Sequence, residues 1–589
     1  MTSEETIVHL SALRCRTLAL GAIIPLAIGL AACTEAPAAT VAGDTEAVTH
    51  EENDRVPEGA AWTQHYFPSA PGLDGEEVEL HADVLLPDDL AEGEQVPVIL
   101  SVGSYFGHSG EITDEDWTHP GPSDRFADLI EGGDLFDERY AFVMVDLRGF
   151  GGSTGCLDFM GDGEQADVAA AIEWAASQPW STGDVGMYGK SYDAITGIVG
   201  TVLQPEGLRA VVAQAPMWDK YRNNRSGGVP RLPLTVAVQT YNEIATLEQL
   251  PDDTERYREN AAYEQAHPEC VAINTLSAQT ADPASPYWTS RDFAARVEGS
   301  TTPLLFTQGW AEWNTESEAM EEFLANHEGP VRGWFGPWDH IRGNEVDEDG
   351  TVKTGREGWF DEVMAFYDEH LKGVEPTEEY PAFVIQDNTG SWRAQEDWPI
   401  VDETADIALQ GGSYLDDGAE GDPTVDTGNR FVQTSEPVAA DTRITGTPSM
   451  TLTSEGHGNL MVKLYDVAPD GTAVLINEQV AAVTPGEVTL EMKAGDWRLA
   501  AGHALAVQIG TIEAGPLSDW IDTPSNERIA VSDVQLKLAL QDPAADVDIP
   551  GERALYLDSY LAISTATLPE APTTFTIDGA EGGTSSGGE

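Results

Sequence analysis

From about residue 60 the chain alternates short apolar runs with stretches of helical spacing. Val96-Pro97-Val98-Ile99-Leu100-Ser101-Val102 and Ala141-Phe142-Val143-Met144-Val145-Asp146 read as strands, and between Ala166 and Ala176 the residues Val168, Ile172 and Ala175 share one helix face. Further strands are predicted at Val185 to Gly189, Arg209 to Gln214, Pro303 to Thr307 and Val331 to Phe335. An amphipathic helix from Trp359 to Leu371 follows, closed by Lys372-Gly373. Apolar strands interleaved with helices predict a mostly parallel sheet covered by helices. An insertion from Trp218 to about Val297, with helical patches and several prolines, interrupts this rhythm and is a candidate cap over the C-terminal edge of the sheet. After about Pro381 helical periodicity is lost. Alternating segments such as Ser449 to Thr453, Leu460 to Tyr465 and Ala504 to Ile509, separated by Gly, Pro, Asp and Asn, predict an all-β sandwich or jelly roll. No internal repeat is present.

At 589 residues more than one core is expected. The N-terminus reads as an address: Arg14 and Arg16 precede an apolar run from Leu18 to Leu30, too short for a membrane span, that ends in Leu30-Ala31-Ala32-Cys33. That ending resembles a bacterial lipobox with Cys33 as the lipidated residue, which places the protein outside the cytoplasm, anchored to the cell membrane, or secreted if the lipobox is not used. The expected layout is a signal peptide over 1–33, a flexible tether over 34–59, a catalytic domain over 60–385 with its cap at about 218–297, a β-sandwich over 386–568 and a flexible tail over 569–589. Cys156 and Cys270 remain, and an oxidising exterior would let them pair. Charge changes the picture further. With 102 Asp plus Glu against 30 Lys plus Arg, the formal net charge is -72. Nucleic acid is excluded as a partner, since phosphate binding draws on clustered Lys and Arg. The acid is spread along the whole chain, so it reads as a solvated surface that needs screening counterions, as in a saline or otherwise ion-rich habitat.

The candidate chemistry centres on Val185-Gly186-Met187-Tyr188-Gly189-Lys190-Ser191-Tyr192-Asp193-Ala194. A strand that ends in Gly-x-Ser and passes straight into a helix is a nucleophile elbow, the hallmark of an α/β-hydrolase fold. A serine hydroxyl is a poor nucleophile until a histidine takes its proton and a carboxylate orients that histidine. In this fold the acid and then the histidine come after the serine, each just beyond a later strand. His340, in Phe335-Gly336-Pro337-Trp338-Asp339-His340, meets the condition for the base. Glu312, in Gly309-Trp310-Ala311-Glu312-Trp313-Asn314, meets it for the acid, with Glu316 and Asp339 as alternates.

These residues resemble the X-prolyl dipeptidyl-peptidase and cocaine-esterase group of serine hydrolases. Asp146 to Gly155 is similar to that family's D-x-R-G-x-G-x-S-x-G loop, Gly189 to Tyr192 to its G-x-S-Y, Gly309 to Asn314 to its segment ending D-W-N, and Gly336 to His340 to its G-P-W-x-H. Two departures stand out: Ala194 replaces a glycine, and Glu312 stands where the family has Asp. The resemblance implies an α/β-hydrolase domain with a helical cap, a C-terminal jelly roll, and an oxyanion hole formed by the Tyr105 hydroxyl and the Tyr192 amide. It also implies release of X-Pro dipeptides from peptide N-termini, which needs a flat-walled apolar pocket. Trp218, Trp313 and Trp338 are the candidate walls. An ester hydrolase or acylase would use the same triad, and a surface lipoprotein that binds peptide or glycan through the jelly roll is the non-enzymatic reading. No metal-ligand motif, P-loop or dinucleotide fingerprint is apparent, so no cofactor is expected.

Overall fold

The computed structural model describes residues 47–50, 53–72, 75–110, 117–419, 428–513 and 519–577. The signal peptide, Cys33 and the last residues of the chain lie outside them. Among the described residues no helix is long and apolar enough to cross a membrane.

Among the described residues, eleven strands of the first domain form one sheet: β1 (Val48–Thr49), β2 (Ala60–Ser69), β3 (Val78–Pro87), β4 (Val96–Gly103), β5 (Ala141–Asp146), β6 (Ser181–Lys190), β7 (Leu208–Gln214), β8 (Leu304–Gly309), β9 (Val331–Gly336), β10 (Phe383–Gln386) and β11 (Trp392–Gln395). Their order is β1-β2-β3-β5-β4-β6-β7-β8-β9-β10-β11, with Val547–Asp548 from near the C-terminus added beside β11. From β5 to β10 the pairing is parallel. Strands β4, β5 and β8 are buried at every position, as parallel strands covered on both faces must be. Helices α1 (Asp162–Ser177) and α2 (Tyr192–Leu203) cover one face. Helix α6 (Trp359–Tyr367), capped after a further turn by Gly373 at φ 67°, covers the other. Every strand predicted from apolar runs in this domain is present, within a few residues of its expected ends.

The insertion folds as short helices, the longest being α3 (Pro233–Ala245), α4 (Glu255–Ala261) and α5 (Glu269–Ala278). Cys156 and Cys270 are disulfide-bonded with Cα atoms 5.2 Å apart, which fastens α5 to the loop after β5. The C-terminal domain, over its described residues, is a sandwich of two six-stranded sheets, as the alternating segments predict.

Three boundaries differ from expectation. The stretch expected to be tether already contains β1, which pairs with β2, and His50 stacks on Trp62 at 3.6 Å. Strand β11 and Val547–Asp548, both expected in the sandwich, complete the first domain's sheet instead. The expected tail, 569–589, contains Thr573–Phe575, which pairs with Arg430–Ser435, and it buries Phe575 and Ile577. The two domains therefore interleave rather than succeed one another. A buried ion cluster sits at the seam: Arg393 of β11 pairs with Asp496 at 2.7 Å, and Arg443 reaches Asp546 at 2.7 Å and Asp387 at 3.3 Å.

Candidate active site

Ser191 lies between β6 and α2 at φ 64°, ψ −122°, a conformation that costs a non-glycine residue about 1–3 kcal/mol and persists only where its surroundings impose it. The surroundings are tight. A Cβ on Gly189 would stand 2.3 Å from the Asp193 carbonyl, so only glycine lets the chain turn this sharply. The Ser191 amide donates to the Gln214 carbonyl at the end of β7 (2.9 Å), which pins the elbow to the sheet edge.

Glu312 comes just after β8 and is buried. Its Oε1 accepts from the Thr315 amide (2.9 Å), the Thr315 hydroxyl (2.5 Å) and His340 Nδ1, and its Oε2 accepts from Gln308 Nε2 (3.1 Å). Burial pushes the carboxyl pKa up, but the charge of His340 and these donated hydrogen bonds outweigh it, so the net shift is downward. Glutamate thus reaches the histidine from the position where the resemblance leads one to expect aspartate. The alternates are otherwise engaged or oriented. Glu316 pairs with Arg231 and Lys493, both at 2.7 Å, and burial raises it to about 7. The Asp339 carboxyl is also raised, chiefly by burial, and His340 Nδ1 bonds Glu312 instead.

His340 stands on a loop that leaves β9 and runs back across the sheet edge. Gly343, three residues on, donates its amide to Gln214 Oε1 (2.8 Å), and Arg342 donates to the Arg125 carbonyl (2.8 Å). Gln214 therefore holds the elbow with its carbonyl and the histidine loop with its side chain. The Glu312–His340 pair is formed, while among the described residues the Ser191 hydroxyl makes no hydrogen bond to the ring. Such contacts commonly tighten only when substrate is bound.

The sequence profile of the X-Pro dipeptidyl-peptidase (S15 family) matches residues 74–342, and that of the X-Pro dipeptidyl-peptidase C-terminal non-catalytic domain matches residues 372–515. The chain belongs to the X-Pro dipeptidyl-peptidase and cocaine-esterase family of serine hydrolases. A Bacillus cereus protein carrying the provisional name Xaa-Pro dipeptidyl-peptidase is 22% identical over 484 residues, 70% of this chain and 79% of its own. The cocaine esterase of a Rhodococcus strain is 24% identical over 466 residues, 64% of this chain and 80% of its own. Among solved structures, an aminopeptidase from a marine-sediment Thaumarchaeota archaeon superposes with a TM-score of 0.60 at 17% identity, covering 84% of this chain and 99% of its own. An α-amino acid ester hydrolase superposes at 0.59 with 17% identity, covering 81% and 97%. The overall fold is thus the α/β-hydrolase fold with a β-domain appended.

In this serine hydrolase the two tyrosines expected at the oxyanion site differ in what they do. The Tyr192 amide belongs to the first turn of α2, where backbone N–H groups lack intrahelical acceptors, while its phenol is turned away and donates to Glu164 (2.6 Å). The Tyr105 hydroxyl meets that of Tyr241 on cap helix α3 (2.7 Å). Arg125 lies over the Tyr105 ring at 3.9 Å and donates to Asp193, two residues beyond the serine, at 2.5 Å. Tyr241, Arg125 and Gln214 are not legible in the sequence: each acts through a contact that only the fold creates.

Two of the three tryptophans proposed as pocket walls are corrected by the hydrolase structure. Trp218 is 0% exposed, packs on Phe306 and Phe323 and donates to Gln308 (3.1 Å), so it belongs to the core. Trp338 is 1% exposed and stacks near Trp392. A Cβ on Gly336 would lie 2.0 Å from its ring, and one on Gly309 would lie 2.1 Å from its carbonyl. The G-P-W-x-H pattern is thus a packing device that seats the histidine loop. Of the three, Trp313 alone stays half-buried, beside Glu312, on a cavity of about 40 Å³ that Ile444, Pro448 and Trp497 of the sandwich also line.

Proposed function

We propose that this hydrolase releases X-Pro dipeptides from free peptide N-termini through an acyl-enzyme on Ser191. The Ser191 hydroxyl attacks the carbonyl carbon of the proline residue and passes its proton to His340 Nε2. Glu312, bonded to Nδ1, fixes the tautomer and stabilises the imidazolium. The Tyr105 hydroxyl and the Tyr192 amide donate to the oxyanion, where charge develops in the transition state. His340 then returns the proton to the leaving amine, and water repeats the sequence to free the dipeptide. The observation that carries this reading is the Glu312–His340 pair on a loop tied to the elbow through Gln214.

A carboxylic ester hydrolase or acylase is the second reading, favoured by the similarity to the Rhodococcus cocaine esterase, 24% identical against 22% for the Bacillus cereus relative. A fluorophosphonate probe should label the wild-type protein and not Ser191→Ala; equal labelling of both would remove the mechanism. Parallel assays with a Gly-Pro anilide and a simple aryl ester divide the two readings, since turnover of the anilide marks a peptidase and turnover of the ester alone marks an esterase. We further propose that the protein acts outside the cytoplasm, held to the membrane by a lipid on Cys33. Release of Cys33→Ser into the soluble fraction is the expected result, and unchanged membrane association would overturn it.

A further inference from the structure

Away from the triad, five buried side chains converge where the β2–β3 hairpin meets the loop after β4 and the end of β5: Gln64, His81, Asp83, His108 and Asp146, each no more than 1% exposed. Every ring nitrogen of both histidines faces oxygen. His81 Nδ1 lies 2.8 Å from Asp146 Oδ2, and His108 Nδ1 lies 2.7 Å from Asp253 Oδ2, a residue just ahead of cap helix α4. The opposite nitrogens converge on Asp83. His108 Nε2 is 3.2 Å from Asp83 Oδ2, and His81 Nε2 is 3.8 Å from Asp83 Oδ1 and 3.2 Å from Gln64 Oε1. Gln64 keeps its oxygen toward His81 because its nitrogen meets His50 Nε2 at 2.7 Å. Trp62 donates to Asp83 Oδ1 at 2.7 Å.

A neutral imidazole in either position would turn a lone pair toward an oxygen, so each ring needs a cation on one side. A separation of 3.8 Å is too long for His81 Nε2 to donate to Asp83, so with protons alone that nitrogen is served only by Gln64 Oε1 at 3.2 Å. The longer separation does suit two ligands of one tetrahedral ion, which stand about 3.4 Å apart when bond lengths are near 2.1 Å. One ring nitrogen of His81, one of His108 and an Asp83 oxygen all lie within 4.8 Å of one another, and the nitrogens that approach Asp83 are the two Nε2 atoms. The carboxylates on both Nδ1 atoms complete the pattern: histidines that ligate a metal through one nitrogen habitually donate the other N–H to a carboxylate, which fixes the ring and raises its basicity.

We propose that His81, Asp83 and His108 bind one divalent transition metal of the zinc class, with Gln64 Oε1 as the fourth donor and Asp146 and Asp253 orienting the two histidines. Two imidazoles and a carboxylate select zinc over calcium or magnesium, which prefer all-oxygen sites. Burial of every donor makes the site structural, because a catalytic zinc keeps a position open to water or substrate. The ion would tie the hairpin to the loop that carries Tyr105, three residues before His108, and through Asp253 to the base of the cap. This assignment does not depend on the substrate proposed above.

The test uses full-length protein stripped with a chelator, dialysed and titrated with Co²⁺. The expected result is one equivalent bound with the visible absorption of tetrahedral nitrogen-ligated Co²⁺, displaced by one equivalent of Zn²⁺ and untouched by a large excess of Ca²⁺, which would clear ions held loosely by the acidic surface. Asp83→Asn and His108→Gln should each abolish the bands, and Ser191→Ala should keep them. Absence of the bands in the wild type, or their persistence in both cluster variants, overturns the proposal. Because the variants remove buried groups, anomalous diffraction at the zinc edge from wild-type crystals grown with Zn²⁺ provides a second measurement. A peak within bonding distance of both Nε2 atoms supports the site, and a peak elsewhere or none refutes it.

Discussion

Replacing Glu312 with glutamine removes one charge and almost no volume, so its effect comes down to the groups that face the carboxylate. Four such groups stand among the described residues, and all are donors: His340 Nδ1, the Thr315 amide, the Thr315 hydroxyl and Gln308 Nε2. The best orientation of the new amide keeps its oxygen toward His340 and Thr315, which turns its NH₂ against that of Gln308. Gln308 cannot rotate away without giving up the bond it accepts from the Trp218 indole. One buried donor is therefore left unsatisfied, at a cost to stability of about 1–3 kcal/mol. Catalysis should suffer more than stability. Without the negative charge the imidazolium is unsupported, and loss of the carboxylate in such a triad lowers turnover by up to about 10⁴-fold, about 5 kcal/mol at 1.36 kcal/mol per decade. The rate of fluorophosphonate inactivation reads this directly, because it needs the activated serine and no knowledge of the substrate. Glu312→Gln should inactivate about 10³ to 10⁴ times more slowly than wild type, with a melting temperature only slightly reduced. A variant within tenfold of wild type would refute the assignment of Glu312. So would an equal loss in Asp339→Asn with Glu312→Gln active, which would move the role to the other carboxylate.

Tyr105→Phe should leave the fold intact and lower kcat by about 10²- to 10³-fold, the usual effect of losing one oxyanion donor; unchanged turnover would reassign the Tyr105 hydroxyl to its contact with Tyr241 alone. Removing the Cys156–Cys270 bridge, which spans 114 residues, should cost about 2–5 kcal/mol of unfolding free energy, read from denaturant midpoints of the double alanine variant. Stability should also fall as pH rises from about 5 to 7. Burial lifts Asp219, with help from Asp292, and Glu264 each to about 7 from 3.8 and 4.5, so over this window the folded state holds protons that the unfolded chain has released. Asp219→Asn and Glu264→Gln should flatten the slope of melting temperature against pH, and a wild-type midpoint that climbs with pH would contradict the reasoning.

The elbow and its two candidate partners are legible because each is marked locally. An apolar strand ending in glycine announces the turn, and chain order in this fold restricts the acid and the base to loops after later strands. The three tryptophans show the opposite case. An indole suits a pocket wall and a core equally well, and the deciding fact for Trp218 and Trp338 is whether Phe323, Gly336 and Gly309 close over them. Domain limits escape the sequence for a related reason: Val547–Asp548 and β11 carry no mark of which sheet will accept their edge hydrogen bonds.

Patterning along the chain therefore determined the strands, the helices, the order of the sheet's catalytic loops and the identity of Ser191, Glu312 and His340 as candidates, since burial periodicity and strained turns are properties of neighbouring residues. Contacts between residues distant in sequence decided the rest: Gln214 joining the elbow to the histidine loop, Tyr241 reaching Tyr105, and His108 arriving opposite His81 and Asp83. A two-residue spacing places His81 and Asp83 on one face of β3, but the energy that makes such a cluster a site depends on a third group and a set of orienting carboxylates that only the folded chain brings within bonding distance.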